Sequence, residues 1–365
     1  MDQPIIEAAT RFAEQHVAPV AEKLIAEPRV PDHIWQAAVD AGLTAIGLTD
    51  DAPAAEPTLI YELGRILSET GQVPGLANAI IGHVVISNSV SRHAFNDQQI
   101  AHWMPPLARG EARTCIAISE PGAGGHPKRL TTQADKTDTG WALTGEKAYL
   151  TSGPDAAFFI VLAITDIVDG RKKFGAFLVP EDTPGIERTE GVKIDFLKPS
   201  SHCGLKMEGA PLPPEALLER AGDPYETILK RFRRVEDCQM QGIVVGGCRA
   251  ALRRLAQRPD APVDWAQTIG ALSADIDLLD SAARQLIQDS GGDPTGQFEP
   301  RLLAIRAFGR RIQEQLTALV GEGMQSSPFI LTLVRDMTQM GRIAMSVDQA
   351  KLTGIGKNII GEQNS

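Results

Sequence analysis

The chain has 365 residues, 43% of them hydrophobic, with a formal net charge of −10 and a pI near 5.3. One core rarely spans that length, so two or three domains are expected. The acidic balance offers no basic field for nucleic acid or an anionic membrane, so neither is expected as a partner. No apolar run approaches transmembrane length. Met1-Asp2-Gln3-Pro4 lacks the charged and apolar regions of a secretory signal, so a cytoplasmic protein is expected. Cys115, Cys203, Cys238 and Cys248 are far apart, form no C-x-x-C and read as free thiols. The histidines lack metal-ligand spacing, and His83, His93 and His102 read as surface or core residues.

Residues 1–111 predict a helical domain. Over 5–24, Ile6, Phe12, Val17, Val20 and Leu24 recur at helical intervals. Pro31-Asp32 opens a second helix, with Trp35, Ala38 and Leu43 on one side and Gly42 near its end. A third covers 57–70. Residues 77–91 are apolar enough to be buried nearly all round, and a helix over 97–108 ends at Arg109-Gly110.

Near Glu111 the period changes. Within 112–222, β-type runs are expected at 115–119, 130–134, 141–143, 158–165, 174–179 and 193–196. Asp138-Thr139-Gly140 and Asp169-Gly170 suit hairpin tips. No crossover helix separates the runs, which predicts an antiparallel barrel or sandwich. Pro211, Pro213 and Pro214 mark its exit. From 223 to 365 the pattern is helical again, over 225–257, 263–289, 298–320 and 331–360, which makes a four-helix bundle. The fold class is therefore α+β and multidomain: helical domain, central β-domain, C-terminal bundle.

The stretch Ile116-Ala117-Ile118-Ser119-Glu120-Pro121-Gly122-Ala123-Gly124-Gly125 carries the first chemical signal. A strand runs into Pro121, which cannot donate to a ladder, and then into glycines that let a ligand approach the backbone. It presents N–H groups and the Ser119 hydroxyl. Further on comes Gly145-Glu146-Lys147-Ala148-Tyr149-Leu150-Thr151-Ser152-Gly153, and the approach to the β-region reads Trp103-Met104-Pro105-Pro106-Leu107-Ala108-Arg109-Gly110-Glu111. On these motifs the chain resembles the flavin-dependent acyl-CoA dehydrogenase family over nearly its whole length. Ile118–Gly124 looks like that family's Thr/Ser-Glu-Pro-Gly-Ala-Gly. Residues 145–153 are similar to its Gly-x-Lys-x-Trp-Ile-Thr-Asn-Gly, with Tyr149 and Leu150 replacing Trp and Ile.

The resemblance implies FAD as cofactor and an acyl-CoA thioester as substrate, oxidised by α-proton removal and β-hydride transfer to flavin N5. It places the Ser119 and Thr151 hydroxyls on the flavin ring, the backbone of Ile116 and Ile118 at the ring's edge, and Tyr149 stacked beside it. Taken without the resemblance, Ser119 and Thr151 would cap strand ends and Tyr149 would pack in a core. Gly125 stands where the family has a serine that helps hold the thioester. An electron-transfer flavoprotein is the implied electron acceptor, and a homodimer or homotetramer, or a heteromer with a related chain, the implied assembly.

The base requires more care. The family's usual acid lies eight residues after an Arg-Asp pair; from Arg335-Asp336 that count reaches Ala344, which takes no proton. A backbone N–H near Ala344 is still expected to polarise the thioester carbonyl, and Ser346 keeps a hydroxyl for the flavin phosphates. Asp348, one turn beyond, is poorly placed. The alternative family position, early in the first bundle helix, falls on Glu236. Phe232, Glu236 and Met240 are spaced by four on one stripe, and a carboxylate on an apolar stripe is desolvated towards the pKa of a working base. A surface pair with Arg233 is the competing explanation, and Asp237 replaces the arginine that usually follows the acid. The loop Arg258-Pro259-Asp260-Ala261-Pro262 lacks the Arg-x-x-Phe-Gly that grips the flavin pyrophosphate of a neighbouring protomer. Thr317 stands for a glutamine, and Gly321-Glu322-Gly323 keeps only part of a glycine motif. Lys230, Arg231, Arg233, Arg234, Arg249, Arg253 and Arg254 suit either coenzyme A phosphates or a solvated helix face. A working dehydrogenase, a subunit of a heteromeric one and a non-catalytic flavin- or thioester-binding relative all remain open at this point.

Overall fold

The computed structural model describes residues 3–258, 261–289, 298–321, 327–343 and 345–361. The first part is helical: α1 (Gln3–Phe12), α2 (Ala21–Leu24), α3 (Asp32–Asp40), α4 (Pro57–Glu69), α5 (Pro74–Ile86), α6 (Arg92–Ala94) and α7 (Asp97–Ala108). Pro57 and Pro74 open their helices, where a missing N–H costs nothing. Asn96 and Gln99 cap α7 reciprocally. α5 is buried on nearly all sides, as its composition predicts. His83 on it is a core residue: its Nε2 lies 3.1 Å from the Leu107 carbonyl, and burial lowers its pKa to about 4.

Seven strands follow: β1 (Thr114–Ala117), β2 (Gln133–Thr137), β3 (Gly140–Thr151), β4 (Phe158–Val168), β5 (Arg171–Pro180), β6 (Ile186–Thr189) and β7 (His202–Leu212). They pair in the order β1-β4-β2-β3-β7-β6, with β5 on β4. The pairs β2–β3, β3–β7, β6–β7 and β4–β5 are antiparallel. The all-antiparallel expectation needs correction at one place. β1 runs parallel to β4 from Thr114↔Phe158 to Ala117↔Val161, and β2 meets β4 in parallel at Gln133↔Ile164. A parallel pair needs a long return path; residues 118–157, including the β2–β3 hairpin, supply it without an α-helix. Asp169 (φ 51°) and Gly170 (φ 72°) form the expected tip between β4 and β5. The expected strand at 193–196 is loop, and Pro211, expected with Pro213 and Pro214 to mark an exit, lies inside β7, the long partner of β3.

A π-helical turn, Tyr225–Leu229, leads into α8 (Lys230–Ala256), followed by α9 (Ala266–Asp289), α10 (Phe298–Gly321), α11 (Pro328–Arg342) and α12 (Met345–Ile360). The single helix expected over 331–360 is divided, with α11 ending at Arg342 and α12 beginning at Met345. α8 to α11 pack as a bundle, and α12 lies on α10. α8 also lies against α4 at backbone contact. A Cβ on Gly242 would stand 2.2 Å from the Tyr61 carbonyl oxygen, and one on Gly246 2.3 Å from that of Arg65. Arg249 and Arg253 pair with Glu69 of α4 across this seam at 3.6 and 2.9 Å, and Asp280 of α9 takes Arg249 at 2.8 Å and the Tyr61 hydroxyl at 2.6 Å.

The N-terminal helices and the bundle consequently share one core, in which Ile60, Leu63 and Leu67 meet Ile243, Val245 and Met337. A second core fills the sheet, and a third, with Phe95, Leu107, Phe158 and Ile160, joins the sheet to the N-terminal helices. Among the described residues no helix is long and apolar enough to cross a membrane, and no group of three or more His, Cys, Asp or Glu is placed to hold a metal.

Candidate active site

Beyond β1 the chain closes a tight loop. The Glu120 amide donates to the Gly124 carbonyl at 3.0 Å, and the Gly124 amide donates back to Glu120 at 3.0 Å. Gly122 (φ 71°) and Gly124 (φ 56°) take left-handed backbone that favours glycine and face open space. The Glu120 carboxylate turns inward. It accepts from the Thr131 amide and hydroxyl (2.7 and 2.8 Å), from the Thr132 amide and hydroxyl (3.0 and 2.6 Å) and from Lys147 Nζ (2.9 Å). Burial raises its pKa, but the Lys147 charge and these donors win and hold it well below the usual carboxylate range. Lys147 is fully buried and also donates to the Ile118 carbonyl at 3.2 Å, and the Ala148 amide donates to Ser119 O at 2.7 Å. The two motifs legible in the sequence are thus bolted together, and their geometry is fixed from behind.

Next to Lys147 the β3–β7 register shifts, between Lys147 and Leu150. Tyr149 adopts φ 60° at this bulge and is 46% exposed. A core role for Tyr149 is thereby excluded. Ile116, Ile118, Ser119 and Thr151 are half-buried on the same ledge. Neither the Ser119 nor the Thr151 hydroxyl has a hydrogen-bond partner among the described residues, so neither caps a strand end. A backbone edge, two free hydroxyls and an exposed aromatic face fit a flat, hydrogen-bonding ring such as a flavin.

Glu236 lies on the α8 stripe with Phe232 and Met240, its side chain one-third (33%) exposed. Phe232, one turn away, packs against the cluster that joins the sheet to the N-terminal helices, against which Ile116 also packs. Burial pushes the Glu236 carboxyl up to about 7; Arg233 and Arg306 pull it down and Asp237 pushes it up. The Arg233 contact is long, 3.7 Å, and Arg233 is 60% exposed, so pairing alone does not explain Glu236. Asp237 is buried and held by Arg306. Asp348 is 1% exposed and clasped by Arg306 at 3.1 Å and Arg310 at 2.8 Å, which leaves it no freedom to act as a base.

Ser346 opens α12 on the wall of a 570 Å³ cleft shared with His126, Arg129 and Lys351, just beyond Gly125. Cationic side chains beside a hydroxyl suit a phosphate. Gly125 is exposed, and a Cβ there would meet Ile118 and Ser119 at an ordinary 3.7 Å, so the position lacks the family's serine for no steric reason. Ala344 lies outside the described residues, as do 259–260 and 322–326 of the departing motifs. The coenzyme A reading of the basic helix face weakens. Lys230 pairs with Glu226, Arg231 with His93, Arg249 with Glu69, Asp277 and Asp280, and Arg253 with Glu69. Sequence reasoning missed Thr131, Thr132, Arg306 and Arg310, and gave Glu120 and Lys147 no role. A lysine inside a β-motif facing a glutamate in a turn was the available signal; nothing in the sequence marked Arg306.

The chain matches the family profiles described as acyl-CoA dehydrogenase, N-terminal domain, over residues 2–111 and acyl-CoA dehydrogenase, middle domain, over residues 115–202. It is 29% identical over 289 residues to the mitochondrial short-chain specific acyl-CoA dehydrogenase of Mus musculus, covering 75% of this chain and 68% of the relative. It is 25% identical over 374 residues to the mitochondrial 2-methylacyl-CoA dehydrogenase of Solanum tuberosum, covering 98% and 90%. Its fold is similar to that of a glutaryl-CoA dehydrogenase from Mycobacterium smegmatis solved in complex with FADH2, with a TM-score of 0.80 at 20% identity, over 99% of this chain and 94% of that one. From motifs, fold and relatives together, the chain belongs to the acyl-CoA dehydrogenase family, whose members are FAD-dependent oxidoreductases.

Proposed function

We propose that this chain desaturates the α,β-bond of an acyl-CoA thioester with Glu236 as the base. The observation that supports this is the Glu236 carboxyl, part-buried on one stripe of α8 with Phe232 and Met240 and raised towards the working range of a base. Ser119 and Thr151 would bind and orient the flavin ring, Tyr149 would cover its side, and Ser346 with Arg129 would meet its phosphates. When bound, FAD supplies the acceptor for the β-hydride. Glu236 takes the α-proton onto its carboxylate oxygen. A backbone N–H near Ala344 would polarise the thioester carbonyl, and Gly125 would leave room for the thioester beside the loop. An electron-transfer flavoprotein would reoxidise the enzyme.

The relatives named above act, by their names, on short-chain and 2-methylacyl substrates. Turnover of butyryl-, 2-methylbutyryl- and isovaleryl-CoA with an artificial electron acceptor is therefore the test. Activity with at least one is expected, and none with any acyl-CoA would favour a non-catalytic relative. Because the free carboxylate must be present, kcat/KM is expected to rise with pH through a midpoint near 7. A midpoint below 5 would mean that the raised carboxyl is not the base.

Tyr149→Gly removes an aromatic face from a backbone conformation that glycine prefers. The apoprotein is expected to keep its stability to within about 1 kcal/mol, while flavin affinity falls by up to about tenfold. Fluorescence titration of FAD checks this, and unchanged affinity would remove Tyr149 from the flavin site. Met345, Leu352 and Ile359 repeat every seven residues on α12 and are 38%, 44% and 81% exposed. Such a row fits an assembly in which a second copy or a related chain covers α12.

A further inference from the structure

Asp237 should disturb its neighbour Glu236: a second carboxylate next along the helix repels its charged form. The structure shows how the charge is balanced. Arg306 reaches across from α10 and holds Asp237 with one nitrogen of its guanidinium. With the other nitrogen it binds Asp348 of α12 at 3.1 Å, and Arg310, one turn along α10, binds the second oxygen of Asp348 at 2.8 Å. The chain of charges Asp237–Arg306–Asp348–Arg310 is shielded from water. Arg306 is 19% exposed, Arg310 18% and Asp348 1%. Asp348 is the one buried residue among the described positions of α12, whose Lys351 also pairs with Glu299 of α10. Arg306 thus links the helix that carries the candidate base to the helix that carries Ser346.

We propose that Arg306 is a positioning residue that joins Glu236 to the C-terminal helix, neutralising Asp237 beside the base while locking α12 in register through Asp348. This deepens the dehydrogenase reading and rests on it for the role of Glu236. The charged groups bearing on Glu236 are Arg233 and Asp237 from its own helix and Arg306 from α10. Asp237 also feels Arg233 and Lys351, the latter paired with Glu299. Arg306 and Asp237 act on Glu236 with opposite sign, so each offsets the other in part. Removing either member should show.

The test is the titration midpoint of the Glu236 carboxyl in the FAD-loaded protein, read by infrared difference against Glu236→Gln and, in parallel, from the pH profile of kcat/KM. Arg306→Met is expected to raise the midpoint by roughly half a pH unit or more, less than the 1–3 units of a directly paired charge. Asp237→Asn is expected to lower it by a similar amount, and the double variant to return it close to the starting value. Arg306→Lys, which keeps the charge but loses the two-armed grip, should hold the midpoint while α12 becomes open to proteolysis and hydrogen exchange. Asp348→Asn should do the same.

Midpoints unmoved in both single variants, or moved in the same direction, would overturn the proposal. So would an α12 that stays protected in Arg306→Lys and Asp348→Asn. The infrared reading separates the two layers of the account. If turnover survives Glu236→Gln but the midpoints shift as stated, the base assignment fails and the coupling stands. If Glu236→Gln is inactive and the midpoints do not move, the coupling fails and the base stands.

Discussion

Glu236→Gln is expected to reduce turnover by about 10²–10⁴-fold while leaving FAD bound. The carboxamide keeps the size of the side chain and cannot accept the α-proton. The flavin contacts assigned here lie on other elements, the loop after β1, β3 and the start of α12, so the visible flavin spectrum should not change. The substitution also has an effect on stability with a definite sign. Glu236 has a folded pKa of about 7, raised by burial above its ordinary 4.5. Its protonated form is favoured in the native state, so its contribution to stability is full below pH 4.5 and lost as pH rises through 7. Glutamine never ionises. Wild type and Glu236→Gln should unfold alike at low pH, and the variant should be the more stable at pH 8. Thermal melts at both pH values check this; equal melting temperatures at pH 8 would mean that Glu236 is not desolvated.

The second large effect is expected at Lys147→Met. The substitution leaves the Glu120 carboxylate buried, with four neutral donors and no cation. Removing one partner of a buried pair costs about 3–5 kcal/mol. Because the same ammonium holds the Ile118 carbonyl, the loop that presents Ser119 loses its tether to β3. Both a lower midpoint in denaturant and loss of retained FAD are expected. Glu120→Gln strands the lysine instead and should be comparably damaging. The double variant Glu120→Gln/Lys147→Met removes both charges and should recover part of the stability but not the loop geometry. Full flavin retention in Lys147→Met would show that the ledge does not depend on this pair.

Much of this was legible in the sequence because it is local. Hydrophobic period and Pro or Gly punctuation gave the helices before Glu111, the hairpin tip at Asp169-Gly170 and the long helix carrying Glu236. The two glycine-bearing motifs gave the ledge. What failed was long-range. β7 contains Gly204, Gly209 and Pro211 and has weak strand propensity; its pairing with β3 comes from tertiary context. The parallel run of β1 beside β4 depends on how residues 118–157 fold back. At the site, the family resemblance pointed to Glu236 and its spacing from Phe232 and Met240 supported it, but nothing pointed to the partner of Asp237. Arg306 is 69 positions away, and no local pattern links two residues that meet only when α10 packs on α8.

The central claim, an acyl-CoA dehydrogenase working through Glu236, is tested most directly by anaerobic mixing of the FAD-loaded protein with butyryl-, 2-methylbutyryl- or isovaleryl-CoA while the visible flavin band is followed. The wild-type band should bleach with at least one of them, and in Glu236→Gln it should persist with the ligand bound. A wild-type band that no acyl-CoA bleaches, or equal bleaching in the variant, would contradict the account.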